Sequence, residues 1–140
     1  MTMQKIEHIG IAVHDLQESI PRYEKLLGTA CYKQERVETQ AVITAFFKVG
    51  ESKIELLQPL KDEGPIAAFL EKRGEGMHHI AYAVADIKTA MAALSEQDFR
   101  LLNLEPVQGA DQKWVCFLHP KDASGVLTEL VQEQGQGAWE

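Results

Sequence analysis

Glu7-His8-Ile9-Gly10-Ile11-Ala12-Val13-His14-Asp15-Leu16 and His78-His79-Ile80-Ala81-Tyr82-Ala83-Val84-Ala85-Asp86-Ile87 are two copies of one pattern, 71 positions apart. They share His, Ile, Ala, Val and Asp in register, with Gly/Ala, Ile/Tyr and Leu/Ile as mild exchanges. The repetition continues downstream. Phe46-Phe47-Lys48-Val49-Gly50 resembles Val115-Cys116-Phe117-Leu118-His119-Pro120 in pattern, and Ile54-Glu55-Leu56-Leu57 matches Thr128-Glu129-Leu130-Val131 at an offset of 74. The drift of three requires a small insertion in a loop of the second copy. Internal repetition at this period constrains architecture more strongly than any single element does.

Each copy opens with a strand. Ile9, Ile11 and Val13 alternate with His8, Gly10 and Ala12, as Ile80, Tyr82 and Val84 do with His79, Ala81 and Ala83. The bulky face can pack on a helix, and the small face leaves room beside an imidazole. A helix follows: Asp15 and Glu18 have capping-box spacing, Leu16, Ile20, Tyr23 and Leu27 recur at helical intervals, and Gly28 ends the run. In the second copy Asp86 precedes Ile87, Ala90, Met91 and Leu94. Strand-like runs follow at 42–49 and 52–58, and again at 113–118 and 126–131, with short strands expected near 31–35 and 100–104. The chain therefore reads as α+β, a single domain of paired β-α-β-β-β units whose curved mixed sheets form a metal-binding cleft. The first unit covers 5–58, a connector with a short helix begun by Pro65 covers 59–76, the second unit covers 77–132, and 133–140 is a frayed tail.

Composition narrows the function classes. The 140 residues are 45% hydrophobic and 25% charged, ordinary for a globular protein. A net charge of -7 argues against nucleic acid, whose phosphates demand a positive surface. No apolar run approaches the ~20 residues of a spanning helix, so a membrane is not expected. Cys31 and Cys116 belong to no metal-type cluster, and with no signal segment at the amino end the expectation is a reduced, cytoplasmic protein.

His8 and Glu55 in the first copy, and His79 and Glu129 in the second, are the chemical candidates. A lone strand histidine is more often a hydrogen-bonded core residue, and a lone strand glutamate more often faces solvent. Repetition of both types in register favours a ligand set. If the units are related by pseudo-twofold symmetry with their sheets curving together, all four converge into a mixed N/O site. Such a site suits a borderline or moderately hard divalent ion such as Co2+, Ni2+, Mn2+, Zn2+ or Fe2+. His78 alternates away from His79 and reads as structural, His14 as a surface residue and His119 as a loop residue. Glu75 stands where it could shape a pocket mouth. Arg22, Lys48, Lys53, Lys113 and Lys121 are possible phosphate contacts, although solvated surface charge accounts for any one of them.

The segments His8-Ile9-Gly10-Ile11-Ala12-Val13, Ile54-Glu55-Leu56-Leu57-Gln58-Pro59-Leu60, Gly74-Glu75-Gly76-Met77-His78-His79-Ile80-Ala81, and Phe117-Leu118-His119-Pro120-Lys121 with Gly125-Val126-Leu127-Thr128-Glu129-Leu130 resemble the vicinal-oxygen-chelate superfamily and, within it, the methylmalonyl-CoA epimerases. The resemblance implies paired β-α-β-β-β units, a divalent metal, a homodimer, a CoA thioester substrate and exchange of its two C2 epimers. It implies metal ligation by His8, His79 and Glu129, with Glu55 standing where some members carry glutamine. Glu129 is the first choice for the catalytic base and Glu55 its symmetry-related alternative. A second glutamate base of the family aligns with Thr44, which has no carboxylate. A glyoxalase I-like lactoylglutathione lyase shares the fold and the ligand types, and a nonenzymatic small-ligand-binding module is the alternative from another class.

Overall fold

A computed structural model describes residues 1–137 and 139–140. The chain divides into two compact units, His8–His78, and His79–Glu140 together with Met1–Glu7. Each is built on the β-α-β-β-β plan, giving the α+β fold that the repeat predicts.

The earlier unit contains β1 (Lys5–Ala12, most of which lies in it), α1 (Leu16–Leu27), β2 (Lys33–Val37), β3 (Val42–Val49), β4 (Ser52–Pro59) and α2 (Pro65–Arg73). β2, β3 and β4 pair antiparallel in sequence, and β1 joins the free edge of β4 in parallel, so the sheet is mixed. Asp15 caps α1 by accepting the Gln17 N–H at 2.9 Å, and Gly28, left-handed at φ 72°, closes it by donating to the Glu24 carbonyl. The helix packs Leu16, Ile20, Tyr23 and Leu27 against Ile11, Val13, Ala45, Phe47 and Leu56, the bulky face of the sheet.

The later unit contains β5 (Gly76–Ala83, largely in it), α3 (Ile87–Glu96), β6 (Val107–Gln108), β7 (Lys113–Leu118) and β8 (Thr128–Glu133). β5 runs parallel to β8, and β8, β7 and β6 pair antiparallel. Asp86 caps α3 through the Thr89 N–H at 2.9 Å, and Ile87, Ala90, Met91 and Leu94 bury against Cys116, Leu118 and Leu130. The predicted insertion sits in the hairpin: nine positions separate Phe46 from its partner Glu55, and twelve separate Phe117 from Glu129. Gly50, with φ 60°, and Glu51 make the tight first turn, whereas the second connection holds a 3-10 turn over Pro120–Ala123.

The strand expected near 100–104 does not form. Leu101 makes an isolated bridge to Leu118, and the strand is the two-residue β6. The reason is chemical: the side chain of Asn103 takes the edge of β7, its Oδ1 accepting the Phe117 N–H at 2.9 Å and its Nδ2 donating to the Val115 carbonyl at 3.2 Å. A side chain thus occupies the groups that a strand backbone would have used. Among the described residues no helix is long and apolar enough to cross a membrane.

Candidate functional site

In the earlier unit the alternation of strand side chains puts His8, Gly10 and Ala12 on the sheet face opposite α1. The pairings Gly10↔Glu55, Glu55↔Phe46 and Phe46↔Lys33 form one row across that face, and Ala12↔Leu57, Leu57↔Thr44 and Thr44↔Glu35 form the next. With only a small residue, Gly10, opposite Glu55, the diagonal neighbours His8 and Glu55 meet: His8 Nδ1 is 3.2 Å from Glu55 Oε2, with both side chains buried. The later unit repeats the device. Ala81 pairs with Glu129 and Glu129 with Phe117, and His79 Nε2 lies 3.4 Å from Glu129 Oε1, again buried. The Phe117 ring meets the His79 imidazole edge-on at 5.9 Å.

These distances fit a metal. Two donors bound side by side to one ion at about 2.0–2.2 Å stand roughly 3 Å apart, and a tight charge-assisted hydrogen bond would be shorter, about 2.7–2.9 Å. Imidazole and carboxylate together are the donors that borderline divalent ions take. Each unit therefore carries a buried His/Glu pair of the donor types that divalent cations take, and a clustered His/Glu site capable of coordinating a divalent metal is present.

The other candidates fall elsewhere. His78 stacks edge-on against Phe69 of α2 at 5.1 Å, a structural contact. The exposed His14 donates its backbone N–H to Glu75 Oε2 at 2.8 Å, so Glu75 fastens the β1–α1 junction. His119 caps the 3-10 turn by accepting the Lys121 N–H at 3.1 Å. Lys113 pairs with Glu133 at 2.9 Å, and Arg22, Lys48 and Lys121 are exposed. Lys53 is different: it is buried, pairs with His8 in register, and points its ammonium toward the Phe46 ring at 5.7 Å. Burial pushes the Cys116 thiol up to about 11, which removes it from nucleophilic chemistry near neutral pH.

A model of the Glyoxalase/Bleomycin resistance protein/Dioxygenase superfamily matches residues 7–117. Human mitochondrial methylmalonyl-CoA epimerase is 40% identical over 129 residues, covering 91% of this chain and 73% of that protein. The ethylmalonyl-CoA/methylmalonyl-CoA epimerase of Cereibacter sphaeroides is 42% identical, covering 91% and 97%. The chain belongs to the methylmalonyl-CoA epimerase family. In structure it is similar to a single-substitution variant of Streptomyces coelicolor methylmalonyl-CoA epimerase in complex with 2-nitronate-propionyl-CoA: the TM-score is 0.91 with 36% identity, covering 98% of this chain and 99% of that one.

Two features of this epimerase-family chain lie outside what the sequence pattern announces. Gln58 Oε1 accepts the Leu16 N–H at 2.8 Å and Gln132 Oε1 accepts the Ile87 N–H at 2.7 Å, so the strand that carries each glutamate also anchors the first turn of its unit's helix. A signal for this exists, since the repeat around Glu55 and Glu129 extends one further residue to these glutamines. Glu35, which the sequence places only in a short strand, alternates with Arg36 and so shares with Lys33 and Val37 the face that bears His8 and Glu55.

Proposed function

We propose that the protein is a metal-dependent epimerase acting at C2 of methylmalonyl-CoA. The observation that carries the reading is the duplicated buried His/Glu pair, 3.2 Å apart in one unit and 3.4 Å in the other, in a chain of the epimerase family. In this reading His8, Glu55, His79 and Glu129 hold one divalent ion, Co2+ first among the candidates. The protein works as a cytoplasmic homodimer on a CoA thioester.

The bound ion supplies Lewis-acid stabilisation of the charge that develops when a thioester loses its α-proton. Glu129 takes that proton. Its carboxylate has two oxygens, so one can serve as a ligand while the other acts as base, and Glu55 is the alternative. The electron pair of the C2–H bond moves toward the thioester oxygen, and return of a proton to the opposite face of C2 gives the other epimer. Phe117 and Ala81, which flank Glu129 in its row, keep the carboxylate in apolar surroundings.

The test is epimerisation of methylmalonyl-CoA with a panel of divalent ions, in deuterated solvent, beside the hemithioacetal of methylglyoxal. The expected result is metal-dependent interconversion with deuterium entering C2 and no thioester hydrolysis. Turnover of the hemithioacetal alone would replace this reading with the glyoxalase I-like one, and tight binding without turnover would replace it with a binding module.

A further inference from the structure

We propose that Thr44 and Glu35 together form the second proton carrier of the reaction, Thr44 touching the substrate and Glu35 exchanging the proton behind it. The inference rests on the epimerase reading above and assigns a step that reading leaves without a residue. Thr44 is fully buried, and among the described residues its hydroxyl has no hydrogen-bond partner. A buried polar group left unsatisfied is costly, so its retention needs a reason.

Folding does not supply one. The later unit has Val115 at the register-equivalent place, beside Val131 as Thr44 stands beside Leu57, and Val115 packs into an apolar cluster with Ala81 and Val131. The neighbour beyond follows the same rule: Glu35 faces Thr44, whereas Val107 faces Val115. The same frame is thus apolar in one unit and carries a hydroxyl and a carboxylate in the other. Both polar groups lie on the face that bears His8 and Glu55, one row farther along.

The geometry suits a relay. Directly opposed residues of an antiparallel pair hold their Cβ atoms about 4.5–5.5 Å apart, within reach of a glutamate turning toward a hydroxyl. Glu35 is one-third exposed, with Oε1 3.6 Å from Lys33 Nζ, so it stands between solvent and the buried Thr44. When the enolate is protonated, the Thr44 O–H bond breaks as the new C2–H bond forms, and the Thr44 oxygen takes a proton from the Glu35 carboxylic acid. In reverse, Thr44 takes the C2 proton while passing its own to the Glu35 carboxylate. The hydroxyl ends unchanged in both directions.

The test follows each epimer separately in deuterated solvent, measuring C2 exchange and interconversion for the wild type, Thr44→Val, Thr44→Ser and Glu35→Gln. Thr44→Val is expected to lower interconversion by about 100-fold, within the range of a lost acid–base group, while exchange persists in the epimer whose proton Glu129 removes. Thr44→Ser keeps the hydroxyl and should stay within a few-fold of the wild type. Glu35→Gln should repeat the one-sided pattern with a loss of about tenfold or more. Thr44→Val turnover within twofold of the wild type, or equal loss of exchange from both epimers, overturns the relay alone. A wild type that neither exchanges nor interconverts overturns the epimerase reading and the relay with it.

Discussion

The two units solve the same folding problem with nearly the same row of residues and then part company one row later. Gly10, Glu55 and Phe46 in the first correspond to Ala81, Glu129 and Phe117 in the second, each with a histidine on the diagonal. The next row reads Ala12, Leu57, Thr44, Glu35 against Ala83, Val131, Val115, Val107. A position that can be filled by valine without loss of fold is free to carry chemistry. The two copies thus keep the same donors and differ in what surrounds them, so the two glutamates are equivalent by register and unequal by environment.

The sharpest way to break that equivalence is to remove one carboxylate at a time. Glu129→Gln is expected to lower epimerase kcat/KM by at least about 100-fold, because in the proposed mechanism it removes a base as well as a ligand. Glu55→Gln should cost nearer tenfold, the scale of weakened metal affinity. Steady-state kinetics beside metal content of each purified variant would show it. Equal losses in the two variants would mean that the base work is shared or lies elsewhere.

Much of this was legible in the sequence because the repeat is written in side-chain types that alternate with the strand period. His8, Glu55, His79 and Glu129, the caps Asp15 and Asp86, and the helix stop at Gly28 each depend on local pattern or on repetition. What escaped depends on register between strands distant in sequence. Nothing near Glu35 announces that it faces Thr44, and nothing near Asn103 announces that its amide will take the edge of β7 and leave 100–104 without a strand. A side chain that competes with the backbone for hydrogen bonds is invisible to periodicity.

The helix anchors offer a second comparison, with a smaller effect. Gln132 is buried and Gln58 half-buried, although each accepts the first N–H of its helix. Gln132→Ala strands a buried donor and should cost about 1–3 kcal/mol, whereas Gln58→Ala, where water can partly substitute, should cost about 1 kcal/mol or less. Urea unfolding of both variants measures the difference, and a larger cost at Gln58 would show that exposure is not what separates the two units.

The least effect is expected where the units differ most in plan, at their hairpins. The first needs only Gly50 and Glu51, but the second must hold a longer connection, and it does so by clamping Asp122 to Arg100. Asp122 Oδ2 accepts the Arg100 backbone N–H at 2.8 Å and its Nε–H at 3.0 Å, and Oδ1 accepts from Nη2 at 2.9 Å. Those hydrogen bonds hold the carboxyl at about 2, below its ordinary value of 3.8. Between those values the unfolded chain binds more protons than the folded one, so stability rises with pH through the window. The contribution is fully present above the ordinary carboxylate range and is lost as pH falls toward about 2. Asp122→Asn should flatten this part of the acid limb of stability against pH while leaving neutral-pH stability slightly lowered. Because the pair is solvent-facing, 0.5 M salt should shrink the difference between variant and wild type. An acid limb identical in the two proteins would show that the longer hairpin is held by its backbone turn, as the shorter one is.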